Sequence, residues 1–196
     1  SYTDERIIRN DIIMKALTVK QPFAHLICVG IKDIENRTWK CPEKYIGKRV
    51  LIHSSSKRGL GLFAINDEQH RDILYKQVVL KLSGRYSIDY SAIIGSVKIV
   101  GCTINHPSIW AEKTGGGKTV YNWVLEDAIL FDKPILDVKG KLSFWESDCE
   151  TLVCPKCGSY CLHNNSDVAI PGWGNPVCEC GKCGYMIQES EFEFVI

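Results

Sequence analysis

Two short stretches near the C-terminal end, "CPKCG" (154–158) and "CGKCG" (180–184), restrict what this chain can fold into more than any other feature. Each CxxC turn aims two thiolates at one point, and the glycine behind the second cysteine lets backbone amides face the sulfurs. Together Cys154, Cys157, Cys180 and Cys183 complete a tetrahedral thiolate shell with no open position, the arrangement of structural rather than catalytic Zn²⁺. The 22 residues between the two turns exceed the usual separation of paired CxxC sites, and "NNSDVAIPGWGNP" accommodates the excess as a hairpin. Iron fits the same cage, although zinc is its commoner occupant. Cys161, His163 and Cys178 are further donors, Cys178 being the nearest substitute because it stands two residues before Cys180. A ribbon of this size has too little core to fold by burial, so metal supplies much of its folding free energy. The hydrophobic core must therefore lie elsewhere. Residues 149–196 are assigned to a zinc-ribbon-like module, 14–148 to the principal domain and 1–13 to an N-terminal extension.

Crowding of the ten cysteines toward one end argues for metal over a secreted disulfide scaffold. No apolar run approaches the roughly 18–20 residues needed to cross a bilayer, and "SYTDERIIRNDII" carries charges where a signal peptide needs an apolar stretch. A soluble, cytoplasmic protein with no membrane partner is expected. With 24 Lys+Arg against 23 Asp+Glu the formal net charge is +1. Bulk charge is therefore silent about nucleic acid, and only a local basic face would reveal such a partner.

Within the principal domain, "ALTVK" (16–20) alternates as a half-buried strand does. "PFAHLICV" reads as a short helix, bracketed by Pro22 at its start and Gly30 just past its end. "DIENRTW" and "KRVLIHSSS" read as strands. A longer helix is expected over 67–82: Asn66 and Gln69 form a capping-box pattern, and Ile73, Leu74, Gln77, Val78 and Leu82 line much of one face. "AIIGSVKIVGCTI" reads as a central strand whose two glycines mark bulges or close backbone approach, and "TVYNWVLEDAILF" continues the strand pattern. Between them "AEKTGGGKT" resembles a phosphate-binding loop, but Glu112 occupies the position where that motif requires its first glycine, so a hairpin loop is the better reading. Several strands, two helices and no regular strand–helix alternation predict an α+β fold with a mainly antiparallel, partly closed sheet.

The segment "GIKDIENRTW" (30–39) packs two cations and two carboxylates into a few residues and then adds tryptophan. As a strand it places Asp33, Glu35, Arg37 and Trp39 on one face. Glu35 and Arg37 can simply pair with each other, and Trp39 can be core. The same set also supplies what a nucleobase needs: a flat surface for stacking, an acceptor for exocyclic amines and a donor fork for phosphate or carbonyl oxygens.

Gln21, Pro22 and Ala24, followed by Gly30, Lys32, Glu35 and Arg37, resemble the Gln-Pro-x-Ala and GxKxxExR pattern that opens the ASCH domain, a member of the PUA-like superfamily. The likeness continues through "GKRVLIHSSSK", "IIGSVKIVGC", Tyr121 and Trp123, and "VKGKLSFWE", from about Met14 to Glu146. It implies a partly closed antiparallel β-barrel with flanking helices and a cleft lined by GxKxxExR. It also implies binding of RNA or of a modified nucleotide or nucleoside. Lys32, Glu35 and Arg37 carry over directly from the motif. Lys20, Gln21, His53, Ser54 and Trp123 follow as residues on strand ends or adjoining strands, with Trp39 or Trp123 stacking on a base. One branch of the family hydrolyses an acylated cytidine using a lysine and a threonine three residues apart. Here Glu35 stands in the threonine's place, so the hydroxyl nucleophile is missing, and a nucleoside or RNA hydrolase would have to use Lys32 and Glu35 as an acid–base pair. A third reading makes the zinc ribbon, with Trp173 in "PGWGNP", a docking module for a protein partner.

Overall fold

In the computed structural model the described residues are 15–57, 61–80, 82, 88–147, 150–153, 160–163, 178–179 and 186–187. They divide into two compact units, one of residues 17–130 and 134–144, the other of 1–16, 131–133 and 145–196.

The alternating stretch near the N-terminus forms β1 (Lys15–Val19). The bracketed apolar segment forms α1 (Phe23–Cys28), whose residues Ala24 to Cys28 are all buried, with Pro22 at its start and Gly30 at φ +80° beyond its end. Then come β2 (Ile34–Arg37), β3 (Arg49–Ser54), α2 (Asp67–Val79), β4 (Ala92–Thr103), β5 (Tyr121–Ile135) and β6 (Phe144–Glu146). The sheet order is β2-β5-β4-β3-β1-β6. Pairings β2–β5, β5–β4 and β4–β3 are antiparallel. The Ser55 N–H just past β3 donates to the Val19 carbonyl at the end of β1 at 2.9 Å, so these two strands run the same way. The result is a curled, mixed half-barrel with flanking helices, an α+β fold.

The main core sets Ala24, Ile27 and Cys28 of α1 against Leu17, Val50, Ile52, Ile94 and Ile99 of the strands. Gly95 permits this contact: a Cβ there would fall 2.2 Å from the Ile129 carbonyl and 2.7 Å from Cys28 Sγ. Burial drives the Cys28 thiol far above its ordinary pKa, so it behaves as a small hydrophobe. A second cluster joins Leu26, Ile31, Ile34, Ile73 and Trp110.

Helix α2 starts as its sequence predicts, with a reciprocal capping box between Asn66 and Gln69. It ends at Val79, earlier than expected, and Ile73 is its only residue counted as buried. Leu74 and Val78, read from the sequence as core-facing, are 54 % and 77 % exposed. Polar clips hold the helix instead. Trp110 Nε1 donates to Asp72 at 2.9 Å, Lys76 bridges Asp72 and the Ile31 carbonyl at 2.9 and 2.8 Å, and Gln69 Nε2 reaches the Ile109 carbonyl at 3.1 Å. The glycine-rich stretch is a tight turn closed by a bridge between Gly115 and Lys118.

In the other unit, β7 (Glu150–Val153) pairs with β8 (Tyr160–His163), and β9 (Cys178–Glu179) pairs with β10 (Met186–Ile187), both antiparallel. Cys154, Cys157, Cys180, Cys183 and Trp173 lie outside the described residues, and of Cys161, His163 and Cys178 only the backbone is described.

Candidate functional site

Strand β2 sits at the end of the sheet order and delivers its charges into a recess of ≈ 1290 Å³. Lys32, in the turn between α1 and β2, is 5 % exposed, and Glu35 on β2 is 7 % exposed. Two buried ions of opposite sign demand each other, because an unpaired buried charge costs several kcal/mol. Glu35 meets the demand from both sides. Its Oε1 lies 2.8 Å from Arg37 Nε, and its Oε2 lies 3.8 Å from Lys32 Nζ. The Arg37 Nε–H does not point along the shorter vector, so this contact is an ion pair more than a hydrogen bond. Arg37 Nη2 is tied at 2.8 Å to the Thr18 carbonyl on β1. Lys32 Nζ donates to the Ile34 carbonyl and lies 5.6 Å from the centre of the Phe23 ring. Burial pushes the Lys32 pKa down, and the carboxylates of Glu35, Glu112 and Asp33 pull against that fall.

Asn36 clamps the long β4–β5 connection: its amide N–H donates to the Trp110 carbonyl at 2.9 Å, and its Oδ1 accepts from Asn122 Nδ2 and the Glu112 N–H. Trp110 is thereby fixed as one wall. On the opposite side His53 Nε2 lies 2.7 Å from the Val138 carbonyl. A carbonyl can only accept, so the ring proton is on Nε2. Burial lowers the His53 pKa, while this bond to Val138 acts to raise it.

Of the residues singled out in the sequence, Lys20, Lys32, Glu35, Arg37 and His53 line the recess. Gln21, Ser54, Trp39 and Trp123 do not. Gln21 is 2 % exposed and braces α1, accepting from the His25 N–H at 3.0 Å and donating to the Asp89 carbonyl at 2.9 Å. Ser54 is fully buried and donates to the Ala92 carbonyl. Trp123 is fully buried because it belongs to the main core; its ring packs edge-on to Trp39 at 4.6 Å and stacks on Phe144 at 5.4 Å. The aromatics that face the recess are Phe23 and Trp110. Neither was singled out in the sequence for this role, because Phe23 reads as an ordinary first-turn helix residue and Trp110 lies in a loop without periodicity. Lys57, Lys139 and Lys141 also line it. They come from segments distant in sequence, and no local pattern marks them.

Among the described residues no three His, Cys, Asp or Glu side chains group to hold an ion. No helix of the described residues is long and apolar enough to cross a membrane.

Among curated proteins none matches the chain. Solved structures that it resembles include the crystal structure of ASCH from Zymomonas mobilis, at 12% identity and TM-score 0.41 over 70% of this chain and 89% of that one. A serine-to-alanine variant of that protein gives the same values. A tyrosine-to-phenylalanine variant gives 12% identity and TM-score 0.40 over 68% and 89%. Residues 17–135 match the family described as the ASCH domain, a span that holds the last three residues of β1, all of β2 to β5, both helices and the whole Lys32–Glu35–Arg37 set. The chain belongs to the ASCH domain family.

Proposed function

We propose that this protein binds RNA or a modified nucleotide in the recess beside β2. The observation that carries the reading is the convergence of Lys32 and Arg37 on one buried carboxylate at the floor of a ≈ 1290 Å³ recess. ASCH domains are in general of an RNA-binding type. Glu35, with an oxygen toward each cation, acts as the brace that fixes them. The remaining N–H donors of Lys32 and Arg37 then address acceptors, the carbonyl oxygens of a base or the oxygens of a phosphate. Phe23 supplies an apolar surface for the base plane. Arg37→Ala is expected to weaken RNA binding by about 10- to 100-fold, the worth of one or two charge-assisted hydrogen bonds. Fluorescence anisotropy with a labelled single strand measures this, and an unchanged affinity removes the floor from the binding site.

Burial that lowers the Lys32 pKa favours a second reading, a nucleoside or RNA hydrolase in which Lys32 and Glu35 move protons for an attacking water. Turnover of acylated nucleosides or of RNA, abolished by Lys32→Ala, separates it from pure binding.

For the other unit we propose one structural Zn²⁺ held by Cys154, Cys157, Cys180 and Cys183. Two register facts support it. Paired residues Val153 and Tyr160 enclose the sequence CPKCGS, and paired residues Glu179 and Met186 enclose CGKCGY, so both CxxCG motifs stand at the same place between paired strands. Four thiolates supplied by two such motifs would suffice for a tetrahedral site. Metal analysis of the purified chain should return about one zinc per chain, and Cys180→Ser should remove it.

A further inference from the structure

The segment 136–143, "LDVKGKLS", joins β5 to β6 and crosses beside the recess. Three separate parts of the fold hold its backbone. The Val138 N–H donates to the Ser91 carbonyl at 2.8 Å, His53 Nε2 donates to the Val138 carbonyl at 2.7 Å, and Thr18 Oγ1 donates to the Lys141 carbonyl at 3.1 Å. Gly140 lies hard against this anchor. A Cβ there would fall 2.5 Å from His53 Cε1 and 2.9 Å from Thr18 Oγ1, and the His53 ring is 1 % exposed and tied by its own bond to Val138, so a side chain at 140 must displace it. The strap is therefore seated against β1 and β3, and its two lysines, Lys139 and Lys141, flank the seated glycine and are exposed.

Lys20 and Lys57, also exposed, line the same recess from the ends of β1 and β3. In all, six Lys and Arg side chains line it against three carboxylates, Glu35, Glu112 and Asp137. The local surplus of three positive charges exceeds the formal net charge of +1 of the whole chain. The recess is also larger than the roughly 300–1,000 Å³ typical of small-molecule pockets.

We propose that the strap is the backbone-binding half of the site: Lys139 and Lys141, with Lys20 and Lys57 beside them, contact the phosphodiesters of a single-stranded RNA whose one base occupies the floor. The ligand is then a strand and not a free nucleoside. His53 and Gly140 are positioning residues that seat the strap. This inference rests on the reading of the floor as an RNA site.

The test measures binding of a labelled single-stranded RNA of about 12 nucleotides, a length that spans one such site, across a range of salt concentrations. Each phosphate contact on a single strand contributes about −0.7 to the slope of log K against log salt. Lys139→Gln/Lys141→Gln should flatten the slope by about 1.4 and weaken binding about tenfold near 0.15 M salt. Lys98→Gln/Lys118→Gln removes the same charge from exposed positions outside the recess and should leave the slope close to that of the unaltered protein. Equal losses in the two double variants, or an unchanged slope in the strap variant, overturn the strap's role while leaving the floor reading intact. Absence of RNA binding by the unaltered protein overturns both. Gly140→Val, judged folded by its circular dichroism, should weaken the strand as the strap variant does without flattening the slope by a full 1.4, since both lysines remain.

Discussion

Lys32 is 5 % exposed and Val78 is 77 % exposed, so here a cation is inside and a hydrocarbon outside. Transfer free energies alone would exchange them. The difference shows that burial is decided by what anchors the backbone, and only afterwards by the side chain that happens to be there. Lys32 follows α1, a helix sunk in the core, and is carried inward with it; Glu35, the Ile34 carbonyl and the Phe23 ring make its position tolerable. Val78 rides on a helix held by its cap and by Asp72, Lys76 and Gln69, and those clips leave the apolar stripe turned outward.

If the inner cation is sustained by its partner, removing that partner is the most damaging single change. Glu35→Gln keeps the shape but leaves Lys32 and Arg37 without their shared counter-charge, and it should cost about 3 kcal/mol of stability in urea denaturation. A loss below about 1 kcal/mol would mean that water reaches the floor more freely than the 7 % exposure of Glu35 implies. On the other side of the comparison, Asp72→Ala strips the Trp110 indole N–H of its acceptor and Lys76 of its counter-charge, leaving Lys76 the Ile31 carbonyl. Trp110 is 1 % exposed, so an orphaned donor there should cost about 2 kcal/mol. A smaller loss would move the credit for holding α2 to the capping box.

Lys32→Met sharpens the contrast because it separates stability from binding. The variant should lose RNA affinity yet stay within about 1 kcal/mol of the unaltered protein near neutral pH, since a buried charge is exchanged for an apolar chain of similar length. Its pH dependence gives the sign. The folded Lys32 pKa lies below the ordinary 10.5, so between the two values the unfolded chain binds more protons and stability rises with pH. The variant lacks this gain. The difference in stability between the two proteins should therefore shift in favour of the lysine form as pH climbs toward 10.5, while the RNA affinity of the lysine form falls as its amine loses charge. A difference independent of pH would place the Lys32 pKa at its ordinary value.

The legible and illegible parts of the molecule divide along the same line. The α1 brackets, the Asn66–Gln69 cap and the glycine turn could all be read from the sequence, because each depends on residues a few positions apart. So could the meeting of Glu35 and Arg37, where strand alternation and a family motif agree; that Lys32 joins them is implied by the motif alone. Trp123 could not be placed. Alternation says that it shares a face with its neighbours two positions away, but not that this face packs on Trp39 and Phe144. The strap was equally hidden, because Val138 meets His53 across 85 residues and nothing local in "LDVKGKLS" records that meeting. The apolar stripe of α2 misled for a third reason: periodicity measures which residues could be buried together, and here polar clips settled the helix before the stripe was used.

The smallest effect bears on that stripe. Leu74→Ser/Val78→Ser replaces two hydrocarbons that are 54 % and 77 % exposed. Exposed side chains have little apolar area left to lose, and surface substitutions of this kind usually stay within about 0.5 kcal/mol each. Serine is a somewhat weaker helix former than leucine and about equal to valine, so propensity adds only a few tenths of a kcal/mol. The double variant should therefore unfold within about 1 kcal/mol of the parent, well short of Glu35→Gln. A loss of 3 kcal/mol or more would require these residues to be covered when the protein folds in solution. It would then be the apolar stripe, and not Asp72 with its clips, that decides how α2 is held, and the contrast with Lys32 would collapse.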